Sequence, residues 1–135
     1  MTAFVASVPI RYSDLDKFGH VNHARYLTYC EDHRTVMFTQ MGAETGCWPL
    51  RTGFVVARIE CDYRRPLALE DGTVEVAAVV DRLGRSSVGL TYEISAGGQP
   101  AATVRTTLVM TAEGAPRPLT DVEREWFGRY LAGGG

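Results

Sequence analysis

Residues 12–26, YSDLDKFGHVNHARY, gather two carboxylates (Asp14, Asp16), two imidazoles (His20, His23) and an amide (Asn22) around Gly19. The stretch ends where a long apolar helix pattern begins. A helix N-terminus leaves backbone N–H groups unpaired and carries the positive end of the helix dipole. A carboxylate beside such donors can work as a base or a nucleophile, and the donors can hold a developing oxyanion. Two other readings of the same residues stand beside this one. Loop aspartates often satisfy turn backbone or cap a helix. A metal-binding Asp-x-Asp with His20 and His23 as further ligands is also conceivable, but no third carboxylate stands at a recognisable spacing. His20 either assists the chemistry or bonds a loop carbonyl. His23 falls in the first helical turn, where a positive ring is disfavoured, so its backbone N–H is the group of interest.

The remaining candidate residues are weaker. Gly84-Arg85-Ser86-Ser87-Val88-Gly89 has no serine with glycine at both −2 and +2, which a nucleophile elbow requires. Arg85, Ser86 and Ser87 read as turn chemistry, or as contacts to a ligand phosphate or amide. Arg65, beside Arg64, is a second candidate for a phosphate. There is no Walker A, GxGxxG or HExxH motif. Cys30, Cys47 and Cys61 are odd in number, widely spaced and without a CxxC, so reduced thiols in a cytoplasmic protein are expected. The N-terminus lacks the charged and apolar regions of a signal peptide, and no apolar run approaches the ~20 residues of a membrane helix. A net charge of −2 offers no field for nucleic acid or an anionic membrane. No metal or organic cofactor is called for.

The elements that must position these residues follow from pattern. The 135 residues are read as one domain, 45% hydrophobic and 22% charged, large enough for a real core. Residues 3–11 read as a strand. Residues 23–41 lack Gly and Pro, with Asn22 as N-cap and Gly42 as the stop. The apolar residues of that helix cover most of its circumference, so it is expected to be buried, with Glu31, Asp32 and Arg34 at a solvated or interface edge. Residues 43–52 read as a loop. Four strands are expected over 54–65, 73–82, 86–95 and 101–112, joined by short turns and therefore antiparallel. In the first, Val55, Ala57, Ile59, Cys61 and Tyr63 are expected on one face. Thr120-Asp121-Val122-Glu123 is a capping box opening a helix over about 120–131, with Val122, Trp126, Phe127, Tyr130 and Leu131 as its apolar stripe. The sum is an α+β domain in which a curved antiparallel sheet wraps one long helix.

With these residues in view, YSDLDKFGHVNHARYLTYCEDHR resembles the signature of the 4-hydroxybenzoyl-CoA thioesterase-like hot-dog proteins. CDYRRPLALEDGTVEV and LGRSSVGLTYEI resemble the same family's following segments, so the likeness spans roughly residues 5–112. The resemblance implies the hot-dog fold and hydrolysis of an acyl-CoA thioester. It implies Asp16, the second aspartate of the pair, as the catalytic carboxylate, and the His23 N–H as the donor to the thioester carbonyl. Asn22 and His20 would orient the carboxylate or a water. Tyr26, Arg65, Arg85, Ser86 and Ser87 are candidates for substrate contact, and Tyr26, Tyr29, Phe54 and Trp48 for the wall of an acyl pocket. It also implies a homodimer or homotetramer, with each site between subunits. The sequence is similar, too, to plant-type acyl-ACP thioesterases at Asp14-Leu15-Asp16 and His20-Val21-Asn22. Phe18 and Pro66 stand where that family has asparagine and glutamate. Acyl-ACP as substrate, hot-dog hydratase chemistry and non-catalytic acyl-thioester binding remain the alternatives.

Overall fold

The apolar alternation of the first residues becomes strand β1 (Phe4–Pro9), with Phe4 and Val8 turned into the core. The computed structural model describes residues 2–133. After the motif loop come α1 (His23–Thr45), the short α2 (Pro49–Thr52), β2 (Phe54–Tyr63), β3 (Thr73–Leu83), β4 (Ser87–Ala96), β5 (Gln99–Ala112), β6 (Ala115–Pro116) and α3 (Asp121–Gly128). The main sheet is antiparallel with strand order β1-β3-β4-β5-β2, and β6 pairs the end of β5. The sheet curls around α1 as the hot-dog fold, and Tyr29, Met37, Phe38 and Met41 of the helix meet the inner-face residues of the strands in one core.

Several details depart from the pattern-based reading, among them the short helix α2 where residues 43–52 read as a loop. Strand β2 does not neighbour β3. Residues 64–72 carry the chain across, and β2 lies against β5 at the far edge. Helix α1 does not stop at Gly42. It runs to Thr45 and ends on Gly46, whose φ of 78° is the left-handed conformation of a C-cap. Gly42 instead provides close approach: a Cβ there would collide with the Trp48 ring. In β2 a register shift between Val56 and Arg58 reverses the alternation. Val56, not Val55 or Ala57, therefore shares the inner face with Ile59. In α3, Trp126 and Phe127 are buried as expected, but Val122 is 45% exposed, because only one side of this short helix meets the core.

Helix α1 also buries two polar residues. His33 is fully buried, and Arg34, expected at an edge, is only 5% exposed. The Nε2–H of His33 donates to the Phe4 carbonyl at 2.7 Å, while Nδ1 is buried without a partner. Burial pushes the His33 pKa below its ordinary value; the bond to Phe4 opposes the fall and Arg34 adds to it. The folded state thus binds a proton less readily than the unfolded chain. Stability contributed by the neutral ring is complete above about pH 6.5 and is lost as pH falls, by up to about 1.4 kcal/mol per pH unit. Thermal unfolding between pH 7.5 and 5.5 should show this decline, and His33→Gln should flatten it. An unchanged slope in the variant would assign the decline to other groups.

Candidate active site

The motif loop is built by its own aspartates. Asp14, 5% exposed, accepts hydrogen bonds from the Arg11 N–H at 2.9 Å and the Tyr29 hydroxyl at 2.8 Å, and Arg25 stands 3.9 Å away. Burial, then the bond and charge of Asp14, raise the Tyr29 pKa, so its hydroxyl remains a donor. Asp14 therefore ties the loop to α1. Asp16 does something different. Residues Leu15 and Val21 pair across the turn, and the Asp16 N–H donates to the His20 carbonyl at 2.7 Å. Its Oδ1 accepts from the N–H groups of Phe18 (2.9 Å) and His20 (3.2 Å). Its Oδ2 has no partner among the described residues. The carboxylate is fixed by one oxygen and leaves the other available. Gly19, at φ 80°, closes the turn.

Asn22 sits where a cap was expected: its side-chain oxygen accepts from the Ala24 N–H at 2.9 Å. Its own N–H donates to the Asp14 carbonyl at 2.8 Å. The cap satisfies Ala24 and leaves the preceding donor, the His23 N–H, without a partner among the described residues. His23 and His20 have exposed side chains with no ring hydrogen bonds among the described residues.

A cavity of about 310 Å³ opens at this end of α1, lined by Val21, His23, Tyr26, Tyr63, Arg64 and Pro66, with Arg65 at its rim. Tyr63, from the end of β2, donates its hydroxyl to the His23 carbonyl at 2.8 Å and meets the Tyr26 ring edge-on at 5.0 Å. Sequence pattern marked Tyr26 and the Arg64-Arg65 pair but not Tyr63. Tyr63 read as one more residue of an alternating strand, and only the curl of the sheet sets it over the helix end.

The arginine and serine candidates separate. Arg65 Nη2 donates to the Ala96 carbonyl at 2.9 Å, and Nη1 lies 3.6 Å from Asp71. Arg85, Ser86 and Ser87 lie at the opposite end of β4, about 30 Å away along the strand from Ala96. Their backbone is used locally: the Ser86 carbonyl accepts from Met110, and the Arg85 carbonyl from Leu119. One chain does not bring Arg65 and Arg85 to one ligand. Trp48 is also remote from the helix N-terminus, packed at the other end of α1 against Gly42. Among the cysteines, burial pushes the Cys30 thiol up to about 12, which keeps it protonated and inert. No group of three His, Cys, Asp or Glu side chains among the described residues is arranged to hold a metal ion, and no helix there is long and apolar enough to cross a membrane.

Comparison with known proteins agrees with this architecture. Residues 10–127 match the thioesterase-like superfamily. The chain is similar to a Thermus thermophilus thioesterase whose crystal structure contains coenzyme A and zinc, with 38% identity and a TM-score of 0.81, covering 91% of this chain and 95% of that one. It is 28% identical to YsmA of Bacillus subtilis strain 168 over 127 residues, 91% of this chain and 84% of that protein. Over 81 residues it is 30% identical to the long-chain acyl-CoA thioesterase FadM of Escherichia coli K12, covering 60% of this chain and 61% of FadM. The family match over nearly the whole chain places the protein in the thioesterase-like superfamily, as a thioester hydrolase of hot-dog fold.

Proposed function

We propose that the protein hydrolyses an acyl-CoA to the free acid and coenzyme A, with Asp16 as the catalytic carboxylate. The observation that carries this reading is the unpartnered N–H of His23 at the head of α1, a residue that lines the cavity together with Val21, which closes the Asp16 turn. The thioester carbonyl accepts from that N–H, and the contact strengthens as the oxygen gains charge. Asp16 Oδ2 either adds to the carbonyl carbon, expelling CoA thiolate and leaving a mixed anhydride that water cleaves, or removes a proton from a water that adds instead. Either route consumes one water and releases one carboxylic acid and one thiol. Asn22 serves by holding the helix end, and exposed His20 stands next to the carboxylate turn as a helper in proton transfer. The test is free-thiol release from a panel of acyl-CoAs and acyl-ACPs. Binding without release would favour an acyl-thioester binding protein, and faster release from acyl-ACP would move the carrier.

The assembly belongs to the same proposal. Edge strand β2 leaves Val56, Ile59 and Tyr63 of one face between 43% and 47% exposed, an apolar row with unpaired backbone beside it. We assign this edge to a second copy in a two-fold homodimer, itself able to pair into a tetramer. Arg65 and the Arg85-Ser86-Ser87 turn, remote within one chain, meet one CoA only if they come from different copies. Light scattering at micromolar concentration should therefore give at least twice the 14.8 kDa chain mass. A monomeric mass with full activity would overturn both the dimer and the shared site. With its thiols reduced, such an enzyme acts in the cytoplasm.

A further inference from the structure

Helix α1 carries its site residues in one stripe. His23 and Tyr26 line the cavity at the N-terminus, and Leu27, Cys30, Glu31 and Arg34 line a second cavity further along, beside Val56 and Ile59 of β2. The spacing of His23, Leu27, Cys30 and Arg34 is that of a single helical face. Strand β2 runs beside it, with Tyr63 at the His23 end and Val56 at the Arg34 end. Arg34 is eleven residues beyond His23, about 16 Å along the axis. Helical side chains tilt toward the helix N-terminus, which gives arginine reach in the direction of His23.

The Arg34 guanidinium is the anomaly. The residue is 95% buried, from a relative exposure of 5%. Its Nε donates to the buried Tyr92 hydroxyl at 3.1 Å, and its carbon lies 5.7 Å from the Tyr92 ring centroid and 5.9 Å from that of Phe54. Among the described residues Nη1 and Nη2 have no hydrogen-bond partner but are not sealed from solvent, and Arg34 makes no ion pair. Glu31, one turn earlier, lines the same cavity but is exposed and makes no ion pair with it. The stem and Nε are buried against two aromatic rings while the tips stay open, so a ligand's negative charge can reach them. Here the two unused Nη groups form a planar fork suited to a carboxylate. The cavity encloses about 180 Å³. At ~30 Å³ per water-sized volume that is room for about six heavy atoms.

We infer that this cavity is the acyl pocket and that Arg34 selects a short acyl group whose far end carries a carboxylate, a dicarboxylic acid joined to its carrier by one end. The inference rests on the acyl-CoA reading above and adds the substrate class. Thioester carbonyl at His23 and terminal carboxylate at Arg34 fix the two ends of the chain. Val56, Ile59 and Val104 enclose the methylenes between them.

The experiment compares glutaryl-CoA with pentanoyl-CoA, which has the same five-carbon chain without the second carboxylate. Wild-type kcat/KM should favour glutaryl-CoA at least tenfold. In Arg34→Met, which keeps apolar bulk and removes the charge, the ratio should fall to one or below. Arg34→Lys, which keeps a charge without the fork, should fall between. In parallel, calorimetry with the non-hydrolysable thioether analogues of both acyl-CoAs reads the preference without turnover. Tighter binding of the dicarboxylic analogue, lost in Arg34→Met, upholds the inference even if no acyl-CoA is cleaved, a result that would sink the hydrolase proposal alone. Equal handling of the two acyl groups by wild type overturns the inference and leaves the hydrolase proposal standing. So does loss of the dimer in folded Arg34→Met with no change in preference, since Arg34 would then serve a subunit contact.

Discussion

Asp16→Asn should lower acyl-CoA hydrolysis by at least ~10²-fold, about 3 kcal/mol of transition-state stabilisation. The reason is local. Asp16 Oδ1 accepts from the N–H groups of Phe18 and His20, and an amide oxygen can keep both bonds, so the turn should stand. What the variant removes is the negative charge on the oxygen that makes no bond. The effect should appear in kcat with little change in melting temperature. Asp14→Asn is the matched control. It touches a buried carboxylate that holds Arg11 and Tyr29, so it should cost stability first and activity much less. Steady-state rates and melting curves for both variants decide the assignment. Near wild-type turnover in Asp16→Asn, or a larger loss in Asp14→Asn, would show that the wrong aspartate has been given the chemistry.

The largest stability effect is expected far from the site, at Glu123. This side chain is 1% exposed and closes the capping box of α3: its Oε1 accepts from the Thr120 N–H at 2.9 Å, while the Glu123 N–H donates to Thr120 Oγ1 at 3.1 Å. Arg117 grips the same carboxylate with two bonds, 2.7 and 2.8 Å long. Burial alone would raise its pKa, but the Arg117 guanidinium and the Thr120 contacts outweigh burial and hold it below the usual value. Glu123→Ala would leave a half-buried guanidinium and a helix N-terminus unsatisfied together. The loss should be about 3 kcal/mol, the low end for a broken buried pair because Arg117 keeps some contact with water. For a domain of this size that is a fall of roughly 10 °C in Tm. Glu123→Gln, which keeps an acceptor, should lose less. A Tm within about 2 °C of wild type in Glu123→Ala would mean that the pair contributes nothing net. Because the folded carboxyl is the stronger acid, its stabilisation is present above about pH 4.5 and is lost as pH falls below it.

Much of this molecule is written in local pattern. The gap-free stretch after Asn22, the strand alternations and the Thr120-x-x-Glu123 box each concern residues within a turn or two of one another, where propensity and capping decide the outcome. They specified one long helix, the strands and an α+β sheet around the helix, and the resemblance of 12–34 supplied the family. The features misread from pattern depend on neighbours distant in the chain. Gly42 looks like a stop until Trp48 uses its missing Cβ. Charged Arg34 looks like an edge residue until Tyr92, fifty-eight residues away, meets its Nε inside the barrel of the sheet. The bulge beside Ala57, the placement of β2 against β5 and the setting of Tyr63 over the first turn of α1 come from closing a twisted sheet around a helix. The sequence by itself thus determined which residues carry reactive groups and which elements hold them. Only the tertiary structure decided that Asp16 keeps an unbonded oxygen, that Arg65 and Arg85 lie apart, and that Arg34 turns inward to line a cavity between α1 and β2. Burial and partner geometry are sums over long-range contacts, and no local window of sequence contains them.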